Sequence, residues 1–323
     1  IVARLGGDEF AIILRHTRET EVIELSQRIL DALKQIRHNQ NGINFQISSS
    51  IGIACFPGVE ANANELLSNA DYAMYQAKLY GRNQFYIFRE DDSQREQSQQ
   101  RMIWRDRIEC AIRKHKFILH YQPILDIATR RISHYETLIR LRDENDNLIQ
   151  PGIFINIAER LGLIQKIDKF IVSTAIARLG ELHRQGEDIR LSINLSGKAF
   201  DDPELFNHIK SCIEKHQVKA ENLIFEITET TALSDLTAAE KIMSEIQSMG
   251  CQFALDDFGM GFSSFYYLRE LPVEFVKIDG SFVQDLSNNS DNQVLVKALS
   301  EVAIGFNKLS VAEYVDSYET LQI

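Results

Sequence analysis

The sequence predicts an α/β fold of the β/α-barrel type, preceded by a smaller α+β layer. Three observations carry that reading. Between residues 117 and 312, short apolar strands alternate with helical segments, and repeated β–α units build a largely parallel sheet. Nearly every one of those strands ends in an acid, an amide or a lysine, and in a β/α barrel the functional groups gather at the C-terminal ends of the strands. Ahead of them lie hairpin, strand and helix signals without that alternation, and 323 residues suit two domains better than one.

The first element is a hairpin. Two apolar runs flank Gly6-Gly7, and glycine at both turn positions permits positive φ. A helix is predicted over about 19–36 and a strand over Phe45–Ala54, which is rich in β-branched residues. Leu66, Ala70, Ala73, Met74 and Ala77 repeat at helical spacing, with Gly81 as a stop. Residues 89–101 are polar, Gln-rich and free of Gly and Pro, as in a helical linker. Trp104, Ile108, Ala111 and Ile112 give the next helix a buried face. The expected division is residues 1–90, a linker over 91–107, and a second domain over 108–323.

From residue 117 the pattern changes. Phe117–Ile124 and Ile132–Leu141 read as a hairpin of two strands. Further strands are expected at Leu191–Leu195, Leu223–Ile227, Phe253–Leu255, Phe275–Ile278 and Leu309–Ala312. Helices are expected near 167–185, 203–217, 236–249 and 291–306. Asp202 before Pro203 reads as a helix start.

Composition narrows the function. The chain is 44% hydrophobic and 25% charged, which excludes collagen-like and disordered classes. No apolar run of about 18 residues crosses a membrane, and no signal peptide opens the chain. The four cysteines form no C-x-x-C pair, so a zinc knuckle or redox motif is not indicated. A net charge of −11 argues against binding a nucleic-acid polymer or a membrane surface. That charge is uneven: residues 136–323 alone carry 17 basic and 30 acidic side chains. Most are ordinary solvated surface.

The strand-end residues are the exception. Asn194, Glu226, Asp256 with Asp257, Lys277 with Asp279, and Glu313 close five strands in succession. One such acid is commonly a helix cap or turn residue, but five in a row exceed what capping needs. On the strand before them, Glu136 and Arg140 share a face roughly 13 Å apart, with Leu138 between. That suits a metal below and a phosphate above. Asp256 and Asp257 are neighbours and would face opposite sides of a regular strand. Both serve one site only if the chain bends there, which Gly259 and Gly261 permit. Carboxylates crowded together need a cation between them. Oxygen donors without Cys or His select Mg²⁺, Mn²⁺ or Ca²⁺, and two such ions would clamp an in-line attack on a phosphodiester.

These residues carry a family resemblance. Tyr135-Glu136-Thr137-Leu138-Ile139-Arg140-Leu141 resembles the signature of the EAL-domain cyclic di-GMP phosphodiesterases, with Thr in place of Ala. The resemblance continues through Tyr121-Gln122-Pro123-Ile124, Ala158-Glu159, Asn194-Leu195-Ser196, Glu226-Ile227-Thr228-Glu229, Asp256-Asp257-Phe258-Gly259, Val276-Lys277-Ile278-Asp279 and Val311-Ala312-Glu313. It implies a modified (β/α)8 TIM-type barrel with an antiparallel first strand. It further implies that Glu136, Asn194, Glu226 and Asp256 hold one Mg²⁺ or Mn²⁺ ion, and that Asp256, Asp257 and Glu313 are associated with a second. Lys277 would contact the attacking water, Arg140 a substrate phosphate, and Gln122 and Asp279 the ligand. Glu229 would brace the loop after Asp257. The implied reaction opens cyclic di-GMP, a bacterial second messenger, to linear pGpG, with Glu136, Lys277, Asp257 and Glu313 catalytic. The alternative is a receptor that binds the dinucleotide without cleaving it.

The N-terminal part resembles the second half of a GGDEF diguanylate cyclase domain, an α+β nucleotidyl-cyclase-like fold. Gly6-Gly7-Asp8-Glu9-Phe10 is the intact signature. Ala70-Asp71-Tyr72-Ala73-Met74-Tyr75, Ala77-Lys78 and Gly81-Arg82-Asn83 match a later helix and loop. The resemblance implies metal at Asp8, nucleotide phosphates at Lys78 and Arg82, and GTP as a partner of the longer protein.

Departures from both patterns set further expectations. The chain opens on Ile1, as a fragment would, and the cyclase half lacks its first strand, so no cyclase activity is expected. Seven strand candidates fall between Phe117 and Ala312, one short of the eight a barrel needs, so the last strand is expected beyond Ile323. Met260 stands where Thr is usual, in a loop linked to dimerisation, and Tyr314 stands where Gly is usual. A homodimer through the EAL part and a cytoplasmic location are expected, with any inner-membrane anchor in missing upstream segments.

Overall fold

The structure is a computed structural model and describes residues 1–6, 9–35, 37–40, 43–46, 48–55, 63–79, 83–88, 90–143, 146–234, 236–259 and 265–323. The chain divides into two compact units, Ile1–Ile103 and Trp104–Ile323.

In the first unit, β1 (Val2–Gly6) and β2 (Glu9–Ile12) form the antiparallel hairpin, pairing Val2 with Ile12 and Gly6 with Glu9. Helix α1 covers Glu19–Gln35. The single strand expected over Phe45–Ala54 is two strands instead. β3 (Arg37–Gln40) pairs antiparallel with β4 (Ile43–Gln46), whereas β5 (Ile51–Ala54) pairs parallel with β6 (Phe85–Phe88). The expected strand holds three serines, Ser48 to Ser50, and the segments on either side of them find different partners.

Helix α2 (Ala63–Leu79) joins β5 to β6 and packs on both. Its small residues make that approach close: Ala73 and Ala77 are fully buried. A Cβ at Gly52 would overlap the backbone at Ala70 and Met74. The Tyr72 ring meets Phe88 edge-on at 6.0 Å. Helix α3 runs unbroken from Glu90 to Arg113, so the polar stretch and the following amphipathic segment are one element. The boundary between the units falls inside it.

The second unit is a curled sheet with helices around it. A ten-residue β7 (Phe117–Asp126) and a twelve-residue β8 (Arg131–Arg142) pair antiparallel, Glu136 opposite Gln122 and Arg140 opposite Ile118. The short β9 (Leu148–Ile149) pairs with β8. Then follow α4 (Pro151–Arg160), α5 (Ile164–Arg184), β10 (Leu191–Asn194), α6 (Leu205–His216), β11 (Leu223–Thr228), α7 (Glu229–Ser234), α8 (Leu236–Gln247) and β12 (Gln252–Phe258). The chain ends with α9 (Phe265–Glu270), β13 (Phe275–Ile278), α10 (Gly280–Val283), α11 (Ser290–Gly305), β14 (Leu309–Ala312) and α12 (Tyr318–Gln322). Strand order is β14-β13-β12-β11-β10-β8-β7, and β8 and β10–β14 are parallel neighbours. The seven strands expected from Phe117 onward are the seven on this path.

Strand composition follows burial. All but the last residue of β11 are buried, and a strand covered on both faces reads as a continuous apolar run. Ile224, Ala254 and Phe275 pack together, with Val311 against them, and form an apolar layer on three adjacent strands and a fourth. The opposite faces receive the helices: Ile167, Val172, Ala175, Ile176 and Leu179 of α5 are buried.

One helix start differs. Helix α6 begins at Leu205, with Glu204 at its cap, not at Pro203. The Asp202 carboxylate accepts the Glu204 amide at 2.9 Å and pairs with Lys169 at 2.9 Å, so residues 202–204 form a turn before the helix.

Candidate functional site

The parallel register decides which side chains meet. Glu136 lies beside Ser192, Asn194 beside Glu226, and Ile278 beside Ala312, one residue before Glu313. Alternation then aims Glu136, Asn194 and Glu226 to one face of the curled sheet. All three converge on Lys277 or on each other. The Lys277 ammonium is 2.7 Å from Glu226, 2.8 Å from Glu313, 3.1 Å from Asp256 and 3.5 Å from Glu136. Asn194 donates its amide N–H to Glu136 at 3.0 Å. Residues far apart in sequence, from β8, β10, β11, β12, β13 and the end of β14, share one polar cluster inside an apolar frame.

Burial sets the electrostatics. Glu226 is 1% exposed and Lys277 3%. Burial pushes the Glu226 carboxyl up, with Lys277 pulling the other way and Glu136 and Asp256 adding to the rise. Burial works to lower the Lys277 ammonium, but Glu226, Asp256, Glu136 and Glu313 outweigh it and hold it above the usual lysine range. The four surrounding carboxylates thus favour the charged form of Lys277. The Glu313 carboxyl is also raised, first by burial, with Lys277 opposing.

Asp256 and Asp257 solve the two-face problem within the strand. β12 continues to Phe258, but its register with β13 shifts between Leu255 and Phe258. Asp257 takes φ +57°, and the following Gly259 takes φ +102°. A left-handed residue inside a strand re-aims its neighbours, as a bulge does. The bend thus falls at Asp257 itself, earlier than the glycines suggest. Asp256 accepts the Asp257 amide at 3.0 Å, and Asp256, Asp257 and Glu313 each offer a carboxylate oxygen within 4.8 Å of the others. The Asp257 carboxyl is raised by burial and then by Asp256 and Asp279. Three hard oxygen donors this close match the donor set of a hard divalent cation.

The remaining expected residues are less gathered. Glu229 accepts the Gly259 amide at 3.2 Å, directly behind the Asp257 bend. Asp279 caps α10 by accepting the Ser281 amide at 2.8 Å. Gln122 is exposed on β7 opposite Glu136. Arg140 is half-buried and donates to the Ile139 carbonyl at 2.8 Å, so its guanidinium is engaged with its own strand. In the first unit Gly6 ends β1, Glu9 opens β2 and Lys78 lies half-buried in the last turn of α2. Gly7, Asp8, Gly81, Arg82 and Met260 lie outside the described residues.

One residue near this cluster escapes the strand-end reading. Asp168 of α5 is 3% exposed and accepts both the hydroxyl of Ser196 at 2.6 Å and its amide at 3.3 Å. The signal was present: an acid stands on the apolar stripe of Ile164, Ile167, Ile171 and Ala175. Attention to strand ends alone passes over it.

A curled parallel sheet that collects acids, an amide and a lysine at its strand ends is a β/α-barrel active-site architecture. Residues 105–323 match the family model described as EAL domain, and residues 1–84 match that described as diguanylate cyclase, GGDEF domain. The chain belongs to the EAL-domain family and carries GGDEF-domain residues ahead of it. It is 35% identical to the cyclic di-GMP phosphodiesterase PdeB of Shewanella oneidensis over 99% of this chain and 38% of the relative. It is 32% identical to the bifunctional diguanylate cyclase/cyclic di-GMP phosphodiesterase MucR of Pseudomonas aeruginosa, over 98% of this chain and 46% of that protein. The chain therefore spans less than half the length of these curated relatives. Among solved structures, the FimX EAL domain of Xanthomonas citri in complex with c-diGMP aligns with a TM-score of 0.66 at 27% identity, covering 71% of this chain and 89% of that one.

Proposed function

We propose that the second unit hydrolyses cyclic di-GMP to linear pGpG with Mg²⁺ or Mn²⁺. The observation that carries the reading is the convergence of Glu136, Asn194, Glu226, Asp256, Lys277 and Glu313 from six strands. Such a set costs stability and is kept where charge must be handled. Similarity to named cyclic di-GMP phosphodiesterases supports the substrate.

In this reading Glu136, Asn194, Glu226 and Asp256 hold one ion, and Asp256, Asp257 and Glu313 the other. Bound divalent ions supply positive charge at the phosphoryl group and acidify water. The protein's own groups do the rest. Lys277, held protonated by four carboxylates, stabilises charge that develops as water adds to phosphorus and the phosphorus–oxygen ester bond breaks. Asp257 and Glu313, both raised by burial, are suited to accept the proton that water gives up. Arg140 turns from the Ile139 carbonyl to a substrate phosphate, with Gln122 and Asp279 as further ligand contacts. Glu229 keeps the bend at Asp257 by holding Gly259. GTP contact through the GGDEF residues and a homodimer through the EAL part belong to the same reading of the longer protein.

The second reading is a cyclic di-GMP receptor without turnover. Tyr314 favours it, since a left-handed tyrosine adjoins Glu313. Incubation with cyclic di-GMP and Mg²⁺ distinguishes the two. Accumulation of pGpG, abolished by Glu136→Ala, is expected; tight dinucleotide binding with no product overturns the enzyme.

A further inference from the structure

The depth of Asn194 is set from outside its own strand. β10 ends at Asn194, and the chain turns at Ser196 into the short 3₁₀ segment Gly197–Ala199. On one side, Leu195 donates its amide to the Glu226 carbonyl at 2.9 Å. On the other, Ser196 gives both its hydroxyl and its amide to Asp168. Gly197 then lies so close to Thr231 that a Cβ would approach its Oγ1 to 3.0 Å. Hydrogen bonds thus act on Leu195 and Ser196 and a close contact on Gly197, and Asp168 supplies the hydrogen bonds that come from α5.

Asp168 is an uncommon choice for a plain structural tie. Among the described residues, no Lys, Arg or His lies within ion-pair distance of it. Its neighbours on α5 are Ile167, Ile171 and Val172, all buried. Burial pushes its carboxyl up to about 6, the Ser196 hydrogen bonds pull it down, and the charges of Glu159 and Asp202 raise it further. Keeping such an acid buried is costly, and among the described residues its two oxygens serve Ser196 only. That residue is two positions from the amide that donates to Glu136.

We propose that Asp168 is a positioning residue for the acidic cluster. Through Ser196 it holds the turn after β10 so that the Asn194 amide stays at Glu136. The proposal rests on the reading of that cluster as the working site. It assigns Asp168 no contact with substrate or ion.

A mutant cycle in the full chain tests it. Asp168→Asn keeps the shape and one acceptor, Ser196→Ala removes the hydroxyl donor and keeps the amide, and Asn194→Ala removes the placed group. Turnover of cyclic di-GMP with Mg²⁺ is expected to fall about tenfold or more in Asp168→Asn, in kcat rather than KM, because groups that orient a metal-binding side chain cost about that much when lost. In the Asn194→Ala background the same change is expected to have little further effect, since coupled residues are not additive. Fold-losses that multiply across the cycle, or an Asp168→Asn variant with unchanged kcat, overturn the proposal. Calorimetric titration with Mn²⁺ alone separates this from failure of the enzyme reading. If the wild type binds Mn²⁺ but yields no pGpG, the phosphodiesterase is wrong. The positioning role then stands if Asp168→Asn weakens Mn²⁺ and Asn194→Ala cancels that loss. Mn²⁺ affinity indifferent to Asp168, or no Mn²⁺ binding by the wild type, overturns it.

Discussion

Tyr314 takes φ +56° immediately after Glu313, a backbone region that suits glycine and strains a residue with a side chain. The sequence marks Tyr314 only as a bulky residue where Gly is usual; the dihedral supplies the reason. A non-glycine residue held in this region costs on the order of 1–3 kcal/mol. Tyr314 is 57% exposed and its side chain rests on Gly280 along one edge, so packing offsets the strain only in part. Tyr314→Gly is expected to raise the midpoint of thermal unfolding by several degrees, read by calorimetry or far-UV dichroism. An unchanged or lower midpoint shows the strain is relieved elsewhere. Single positions also show where reading stops. Glu136, Asn194 and Glu226 were legible because strand periodicity and residue type agree. Asp168 was not, because its partner is 28 residues away and on a different element.

Elements were legible wherever local pattern and final partner agree. The β7–β8 hairpin, the parallel strands and most helices follow their own periodicity. Phe45–Ala54 failed because two short strands, β4 and β5, lie only four residues apart in sequence, and only pairing reveals the break. Gly52 shows the converse: nothing in the pattern of Ile51–Ala54 flags it, yet α2 approaches β5 too closely for a side chain there. Gly52→Ala must push α2 off β5 and β6. Amide hydrogen exchange is expected to lose protection throughout Ile51–Ala54 and Ala63–Leu79. Protection in β10–β13 should not change. Retained protection over α2 argues that the helix shifts without cost.

At the scale of the molecule, the uneven charge has a structural meaning. Most of the acidic excess in residues 136–323 is surface, but Glu136, Glu226, Asp256 and Glu313 surround one lysine. Lys277 is therefore the charge that lets four strand ends approach. Its raised ammonium contributes stability that is fully present below the ordinary lysine range, hence throughout neutral pH. Lys277→Met leaves buried carboxylates without a cation and is expected to cost about 3–5 kcal/mol at neutral pH. The sign with pH follows from Glu226, whose carboxyl is raised above its ordinary value. A folded state that holds extra protons loses stability as pH rises through that interval. Without Lys277 the Glu226 and Glu313 carboxyls rise further, so the deficit should be small near pH 5, grow toward pH 8 and shrink when Mg²⁺ is added. Unfolding midpoints across pH, with and without Mg²⁺, check this. A deficit independent of pH means Lys277 acts through packing.

Fold class, strand count and the types of residue at each strand end were written in the chain. They depend on periodicity and composition, which are local. The bend at Asp257, the four-way pairing of Lys277 and the hold of Asp168 on Ser196 emerged only in three dimensions. They depend on strand register and on the curl of the sheet, which bring residues 21 to 141 positions apart to within 3.5 Å. Sequence spacing carries no measure of that distance, because burial and pairing across the whole sheet decide it.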